Sequence, residues 1–398
     1  MGAQRQTPAT RPRTRLMRHL GLMAAVLSGV LALAAPAFAA PNEWRVVPSP
    51  GGVAELSGVS CPTFYNCMAV GSGGGGALSE SWNGRAWSVV PTAVVPEREP
   101  TTGELNGVSC VSDGFCAAVG KYFGYFVFAS LSETWNGREW SIAPGRAGNT
   151  VLHDVSCVTS RFCVGVGISE AQLGPERQKI ESWNGTEWSF LPTPEPKPPC
   201  TEFCFRKDEV LRGVSCVSTT FCVAVGWDDF IHQQYSSLVE SWNGREWSVV
   251  PSPNGVGGFN ELKGVSCVSA DRCVAVGDAG NGALVESWNG KEWSILESPN
   301  PEGSTRSELN GVSCNRWGSC AAVGTEDTAS GSQPLVETSQ GTKWSLVPSA
   351  KGARADSELD RISCVPVLFL LQTCTAVGST SSPEEGSQAL VESSGIFF

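Results

Sequence analysis

Short runs rich in valine and aromatic residues fill most of this chain, and glycine, asparagine and proline separate them. Leu56–Cys61 is one such run, and Cys67–Gly71, Leu78–Trp82 and Arg85–Val90 follow it. This composition is typical of β-strands joined by tight turns. No stretch after the first 39 residues shows an apolar stripe with the helical period of about 3.6 residues. The pattern therefore predicts an all-β protein.

The same four runs recur as a repeat, L-x-G-V-S-C-x5-C-x-A-V-G, a variable loop, and then L-x-E-S-W-N-G-x-x-W-S-x-x-P. The first cysteines of successive units are 49, 47, 59, 51, 47 and 50 residues apart. Four strands at this period are typical of a propeller blade. The sequence predicts a seven-bladed β-propeller of four-stranded blades, with repeats starting near residues 56, 105, 152, 211, 262, 309 and 359.

The two ends of the repeat array complement each other. Residues 44–48 match the fourth strand of a unit, whereas the seventh unit stops after its third strand, at residues 390–394. The first segment can supply the missing strand, which would pair strand edges that are otherwise open. We therefore expect a ring closed by the N-terminal strand, and an open superhelix of the same units is the alternative.

All 16 cysteines can pair locally. An even number of cysteines in an exported protein indicates disulfides, and the spacings differ from the usual zinc patterns. We expect one disulfide per blade, between the first and second strands, a further bridge in a long linker, and no metal site. The predicted pairs are Cys61 with Cys67, Cys110 with Cys116, Cys157 with Cys163, Cys200 with Cys204, Cys216 with Cys222, Cys267 with Cys273, Cys314 with Cys320, and Cys364 with Cys374.

The third and fourth strands of a unit meet at Trp-Asn-Gly. Asn-Gly favours a two-residue type I′ turn, which would place Trp82 opposite Arg85 and Glu80 opposite Trp87. The two tryptophans of each unit are expected to pack between blades, and a carbohydrate-stacking ladder is the alternative.

These motifs resemble the BNR or Asp-box repeats of sialidase-type and photosystem-assembly-factor propellers. Those repeats carry S/T-x-D-x-G-x-x-W between the third and fourth strands, whereas S-W-N-G-x-x-W is one residue shorter and has asparagine for aspartate. The resemblance covers residues 44–398 and implies a propeller fold. The box is a structural turn, so it implies no activity. The arginine triad and tyrosine nucleophile of sialidases have no counterpart that we can place, so sialidase activity is not expected.

The N-terminus resembles a secretory signal. Five arginines precede an apolar run at residues 20–35, and Ala37-Phe38-Ala39 forms a cleavage motif. We predict a signal peptide at 1–39, a propeller at 40–398, and a secreted or envelope-associated location, with no membrane span after cleavage. Without the leader, 23 basic residues face 39 acidic ones, a net charge of −16. Such an acidic body repels nucleic acids.

Length variation predicts where a ligand would bind. In a four-stranded meander, the 2–3 loops and the blade-to-blade connections share one face, and they carry the variation. Variable loops on a rigid scaffold are common binding sites. One of these loops, residues 121–128, is rich in aromatic residues, and another, residues 227–235, combines aromatic residues with carboxylates and amides, which suit a sugar or a peptide. The alternative is that these aromatic residues cover a blade edge or extend a strand. The candidate ligand-binding residues are Tyr122, Phe123, Tyr125, Trp227, Asp228, Asp229, His232 and Tyr235.

No catalytic constellation or cofactor motif is recognisable, so we assign no catalytic residue and expect no cofactor. The sequence favours an exported binding scaffold whose partner is an extracellular glycan or protein. A lectin-like propeller is the first alternative. A propeller hydrolase or lyase is the second, and it would need Glu170, Asp228, Asp229 and His232 to converge.

Overall fold

The computed structural model describes residues 43–93, 102–124, 127–145, 149–169, 176–194, 208–230, 234–350, 356–368, 371–382, 384 and 386–397. These residues form seven antiparallel sheets of four strands each and contain no helix. Within these ranges, no segment meets the requirements of a membrane-spanning helix. The predicted leader lies outside the described residues.

The sheets are the blades of a propeller, and their strands run outward from the centre in chain order. Blade 7 takes its outer strand from the N-terminus.

Blade 1 comprises β2 (Ala54–Thr63), β3 (Asn66–Gly73), β4 (Gly76–Trp82) and β5 (Trp87–Val90). Blade 2 comprises β6 (Thr102–Ser112), β7 (Phe115–Gly124), β8 (Val127–Trp135) and β9 (Trp140–Ile142). Blade 3 comprises β10 (Thr150–Thr159), β11 (Phe162–Ser169), β12 (Arg177–Trp183) and β13 (Trp188–Leu191). Blade 4 comprises β14 (Glu209–Ser218), β15 (Phe221–Phe230), β16 (Gln234–Trp242) and β17 (Trp247–Val249). Blade 5 comprises β18 (Glu261–Ser269), β19 (Arg272–Asp278), β20 (Ala283–Trp288) and β21 (Trp293–Leu296). Blade 6 comprises β22 (Arg306–Cys314), β23 (Ser319–Thr328), β24 (Gly331–Gln340) and β25 (Lys343–Leu346). Blade 7 comprises β26 (Ser357–Leu368), β27 (Leu371–Ser382), β28 (Gly386–Phe397) and β1 (Glu43–Val46).

The N-terminal strand closes the ring, as predicted. β1 pairs antiparallel with β28, with Trp44 opposite Ser394 and Val46 opposite Glu392. Trp44 is 3% exposed and packs with buried residues of blades 6 and 7. It therefore occupies in blade 7 the position that the second tryptophan of the repeat occupies elsewhere.

Each blade carries one disulfide across its two innermost strands, as predicted. The bonded pairs are Cys61–Cys67, Cys110–Cys116, Cys157–Cys163, Cys216–Cys222, Cys267–Cys273, Cys314–Cys320 and Cys364–Cys374. In a pair such as Cys110–Cys116, the two residues lie directly opposite each other in the sheet. The bridge therefore fixes the register of the hairpin as well as its ends.

The eighth predicted bridge belongs to the linker before blade 4 and not to a blade. Both of its cysteines, Cys200 and Cys204, lie outside the described residues. A disulfide between Cys200 and Cys204 therefore stays a prediction, unlike the seven blade disulfides.

The serine of V-S-C forms a second ring of contacts, between blades. The first cysteine of each blade donates its backbone N–H to the serine hydroxyl of the preceding blade, at 2.9 Å for Cys110 and Ser60. The ring closes where Cys61 donates to Ser363 of blade 7 at 3.0 Å. The other bonds join Cys157 to Ser109, Cys216 to Ser156, Cys267 to Ser215, Cys314 to Ser266 and Cys364 to Ser313.

The tryptophan pairs pack as the sequence predicts. The second tryptophan, Trp87 in blade 1, is 6% exposed and lies between its own blade and Val377 and Val391 of blade 7. The first tryptophan, Trp82, donates its indole N–H to the Phe64 carbonyl in the neighbouring turn at 3.3 Å. The pair therefore joins blades and turns rather than offering an open stacking surface.

The predicted type I′ turn is wrong. Trp82 lies opposite Trp87, so four residues rather than two connect the strands. Gly84 has a φ of 86°, whereas Asn83 is not among the described residues with positive φ. The Asn83 side chain instead accepts the backbone N–H groups of Arg85 and Ala86, both at 3.0 Å. Asparagine serves here as a side-chain cap of the turn, and the residue opposite Trp82 is two positions further along the chain than predicted.

A β-bulge follows the leucine of every first strand. In blade 1 the pairing passes from Leu56–Gly71 directly to Gly58–Val70, which leaves Ser57 as the extra residue. The bulge brings the Glu55 carbonyl so close that a Cβ on Gly71 would lie 1.9 Å from it. This contact requires the glycine of A-V-G. The bulge also directs one variable residue per blade towards the centre of the ring.

A buried glutamate, the E of E-S-W, recurs in every blade, and in blades 1, 2, 5, 6 and 7 it accepts a hydrogen bond from the connection that enters the blade. In blade 2, Glu133 is 0% exposed and accepts the backbone N–H of Ala93 at 3.0 Å. In blade 6, Glu337 accepts the Ser298 hydroxyl at 2.8 Å. Burial raises the pKa of both carboxyls to about 7. The other members of the set are Glu80, Glu181, Glu240, Glu286 and Glu392, and the pKa of each is raised by burial.

Candidate binding site on the variable-loop face

Two open cavities lie on the face that carries the variable loops. The first, which we call the channel-mouth cavity, opens at the centre of the ring and has a volume of about 500 Å³. The second, which we call the glycine groove, also has a volume of about 500 Å³ and runs beside residues 72–76 of blade 1. Glu55, Glu104 and Lys121 line both, so the groove is continuous with the channel mouth.

The bulged residues form the wall of the channel-mouth cavity. They are Ser57, Asn106, His153, Arg212, Lys263, Asn310 and Asp360, one from each blade. Several of them bond to the next blade around the ring. Asn106 donates its side-chain N–H to the Leu152 carbonyl at 2.9 Å, and Asn310 donates to Leu359 at 3.0 Å. Hydrogen bonds between neighbouring blades therefore fix the positions of these side chains, whereas the type of side chain differs from blade to blade.

His153 is a neutral member of this wall. Its Nδ1 lies 2.7 Å from the Leu211 carbonyl, which can only accept, so Nδ1 carries the proton. Burial, followed by the positive charges of Arg212, Arg361 and Lys121, lowers the pKa of His153 to about 4. The imidazole therefore stays uncharged at neutral pH.

Glycine occupies the next position in five blades because neighbouring first strands nearly touch there. A Cβ on Gly58 would lie 3.1 Å from the Cα of Gly107. Blades 3 and 7 depart from the pattern with Asp154 and Arg361. Both departures put a charged side chain at the narrowest level of the channel.

Asp154 and Arg361 tie several blades together at this level. Asp154 accepts the backbone N–H of Val155 and that of Val214 in blade 4, each at 2.9 Å. Arg361 donates to the carbonyls of Asn310 at 3.0 Å and Arg212 at 3.5 Å, which reach blades 6 and 4. Of the two, Arg361 lines the channel-mouth cavity.

The charges of the cavity wall are unevenly paired. Glu104 pairs with Lys121 at 3.2 Å, and Glu261 pairs with Arg212 at 3.1 Å. Glu308 beside the cavity pairs with Lys263 at 3.0 Å. Three carboxylates of blades 1 and 7 form no ion pair with the described residues: Glu55, Glu358 and Asp360.

Asp360 is the most enclosed of these three carboxylates. Burial raises its pKa to about 7, and the negative charges of Glu358 and Glu55 act in the same direction. Arg361 and Lys263 act against them. The side chain keeps a partly exposed surface towards the cavity that it lines.

The predicted residues of blade 2 lie at the end of a long hairpin. Tyr122 and Phe123 belong to β7, where Tyr122 packs on the core of blades 1 and 2. Phe123 is 43% exposed and lines the glycine groove. Tyr125 lies outside the described residues.

The predicted residues of blade 4 form a separate aromatic cluster. Trp227 packs on Val151, Ile168 and Val210, and its ring centroid is 4.8 Å from that of Tyr235. Tyr235 in turn contacts Phe259 at 5.0 Å. Trp227, Tyr235, Asp228 and Asp229 line neither cavity, and His232 and Glu170 lie outside the described residues.

The described residues of the two predicted loops therefore do not line a common cavity. Sequence reasoning missed the bulged residues and the pair of departures at the glycine level. The signal was present, because Asp154 and Arg361 stand where the other five repeats have glycine. Among the described residues, no group of three or more histidines, cysteines or acidic residues is placed to hold a metal ion.

The fold defines the chain as a seven-bladed β-propeller, with two open cavities on its variable-loop face. No protein-family model matches it, and no curated protein matches it. A solved structure described as "YCF48 bound to D1 peptide" is similar, with 15% identity, a TM-score of 0.53, and coverage of 91% of this chain and 99% of that one. A second, "Structure of U3-55K", shares 12% identity at a TM-score of 0.54 and covers 89% and 99%. At these identities the likeness shows a common fold.

Proposed function

We propose that this protein is an exported, non-catalytic binding scaffold that holds its ligand on the variable-loop face. The observation that carries the proposal is the position of the two cavities. Both open on that face, and they share three lining residues. The residues that line them differ from blade to blade, whereas the disulfides and the serine–cysteine bonds repeat in every blade.

Export is supported by the predicted leader and by the disulfides. Seven disulfides among the described residues fit an oxidising compartment, because cytosolic thiols are kept reduced. A non-catalytic role is supported by the bonds of the cavity wall, where Asn106, His153 and Asn310 are each held by a backbone carbonyl of the next blade. A propeller of similar fold, YCF48, has been solved with a bound peptide, which supports a protein or peptide ligand.

The experiment is a capture assay with the purified, oxidised protein, expressed with its leader. The protein is presented to cell-envelope fractions and to a glycan array. We expect binding that is lost when Tyr122, Phe123 and Trp227 are replaced together by alanine, with the far-UV circular dichroism spectrum and cooperative thermal unfolding retained. The matched control replaces two exposed aromatic residues in the 1–2 turns of the opposite face, Tyr65 (56% exposed) and Trp317 (48% exposed).

The control variant should bind as the parent does. Equal loss in both variants would place the ligand elsewhere and refute the assignment of the face. Binding that persists in the triple variant would do the same. Turnover of any captured ligand would refute a purely non-catalytic role.

A further inference from the structure

From the charges of the cavity wall we infer that the channel mouth binds a basic peptide segment, with a lysine or arginine side chain beside Glu55, Glu358 and Asp360. The inference rests on the proposed binding function and adds the chemical class of the ligand. It depends on the pairing of the charges, on the enclosure of Asp360, and on the shape of the groove.

Glu55, Glu358 and Asp360 differ from the other carboxylates of the cavity because they form no ion pair with the described residues. Three cations of the cavity rim, Lys121, Arg212 and Lys263, are each matched to a glutamate of their own or the next blade. The fourth cation of the cavity, Arg361, donates to backbone carbonyls. Among the described residues, Glu55 accepts only the Ser387 hydroxyl, at 2.9 Å, and Glu358 accepts the Ser379 hydroxyl, at 3.1 Å. One sector of the rim therefore retains an excess of negative charge that a cationic ligand would neutralise.

Asp360 adds an observation that does not depend on the number of acidic residues. Its carboxylate is almost enclosed by protein, yet it makes no hydrogen bond or ion pair with the described residues. Removing a carboxylate from water without a partner is costly, and an ammonium or guanidinium group at bonding distance offsets the cost. The open side of Asp360 is the cavity, so that partner would arrive from solution.

The glycine groove determines the shape of the ligand. A side chain on Gly74, Gly75 or Gly76 would meet no atom within 4 Å, so this loop leaves open space above the blade. The groove leads from the channel mouth to Phe123 between blades 1 and 2. An extended backbone would fit along it, while Arg361 lines the channel mouth. These features favour a peptide whose backbone crosses the channel mouth and inserts one basic side chain. They do not favour a small free amine that enters the channel.

The test uses blocked pentapeptides of alanine with lysine, arginine, glutamine or glutamate at the centre, titrated into the oxidised protein by calorimetry. We expect the lysine and arginine peptides to bind about tenfold more tightly than the glutamine peptide, and the glutamate peptide to bind most weakly. Asp360→Asn and the double variant Glu55→Gln with Glu358→Gln should each remove this preference. Glu302→Gln, which deletes an exposed charge on the same face outside both cavities, is the matched control and should retain it.

Proton release gives a second readout. A cation beside Asp360 lowers the pKa of that carboxyl, so the lysine peptide should bind more tightly above about pH 7 than near pH 5, with protons released. The groups facing Asp360 are Glu358, Glu55, Arg361 and Lys263. Asp360→Asn should abolish most of this pH dependence, a change that a purely structural role would not produce.

Equal affinity for the lysine and glutamine peptides, or no binding of any peptide, would overturn the basic-peptide assignment. The scaffold function fails separately, in the envelope capture assay. If capture depends on the variable face but the peptides do not discriminate, the scaffold stands and its ligand is not basic. If neither assay shows binding to this face, both proposals fall.

Discussion

The two faces of this propeller differ in how they use the repeat. On the face of the 1–2 and 3–4 turns, the same contacts recur: an asparagine that caps its own turn, a disulfide across the hairpin, and a tryptophan bonded to the opposite turn. On the variable-loop face, the equivalent positions carry serine, asparagine, histidine, arginine, lysine or aspartate. One face specifies the fold and the other carries the chemical differences between blades.

This division predicts whether a substitution should change stability or binding. Residues that repeat in every blade join strands or blades, so replacing them should cost stability. Residues that differ between blades line the cavities, so replacing them should cost binding. Substitutions of the two kinds of residue should therefore have distinguishable effects.

The largest effect is expected at the closure of the ring. Trp44→Ala removes a side chain that is 3% exposed and packed between blades 6 and 7, and such losses cost about 3–5 kcal/mol. Val46→Ala, on the same strand at 42% exposure, is the matched control and should change stability by less than about 1 kcal/mol. Denaturant unfolding under oxidising conditions measures both. Similar unfolding free energies for the two variants would mean that the packing of the N-terminal strand does not stabilise the ring.

The buried glutamates of the E-S-W motif recur in every blade, and Glu133→Gln tests their contribution to the free energy of unfolding. A carboxyl whose pKa is raised from 4.5 to about 7 by burial binds its proton more tightly in the folded state. Its contribution is complete below about pH 4.5 and is lost as the pH rises to about 7. Glutamine mimics the protonated acid, so the variant should match the parent near pH 4 and be more stable near pH 8, by up to about 3 kcal/mol.

The control for this experiment is Glu139→Gln, an exposed residue in the turn of the same blade. It should leave the pH profile of the unfolding free energy unchanged. A Glu133→Gln variant that is less stable than the parent at both pH values would show that the charged carboxylate is the stabilising form.

The serine ring should give a smaller effect. Ser215→Ala leaves the backbone N–H of Cys267 without the acceptor that lies 3.0 Å away, and an unsatisfied buried donor costs about 1–3 kcal/mol. Ser248→Ala, exposed on the outer strand of blade 4, which also carries Ser215, should be neutral. Chemical denaturation distinguishes them. If Ser215→Ala is also neutral, the repeated serine does not join the blades energetically.

The blade count, the closing strand and the seven repeat disulfides could be predicted from the sequence because each depends on spacing along the chain. The turn register could not, because Asn-Gly favours a two-residue turn locally. Asn83 and Gly84 instead build a four-residue turn in which the asparagine caps two backbone N–H groups. Local preference and side-chain capping compete there, and only the structure shows which one determines the pairing.

The candidate site was only partly predictable for a related reason. Loop length indicates the face and includes Phe123, which lines the glycine groove. The channel wall depends on the bulge after each leucine, and a bulge leaves no length signal because it occurs in every blade. Asp360 and His153 therefore occupy the ring centre without any motif of their own. The aromatic residues near Trp227 have the composition of a binding loop but pack on one another.

The smallest effect on stability, and the sharpest contrast with the scaffold, is expected at Phe123. The side chain is 43% exposed at the outer end of the groove, so Phe123→Ala should change the unfolding free energy by less than about 1 kcal/mol. It should nevertheless weaken ligand capture, because it removes the apolar wall of the groove. Phe190→Ala is matched in residue type and exposure, at 39%, but lies on the outer strand of blade 3 and should leave capture unchanged. Equal capture by the two variants would mean that the groove is not part of the binding surface, and the separation between a scaffold face and a binding face would then depend on the channel mouth alone.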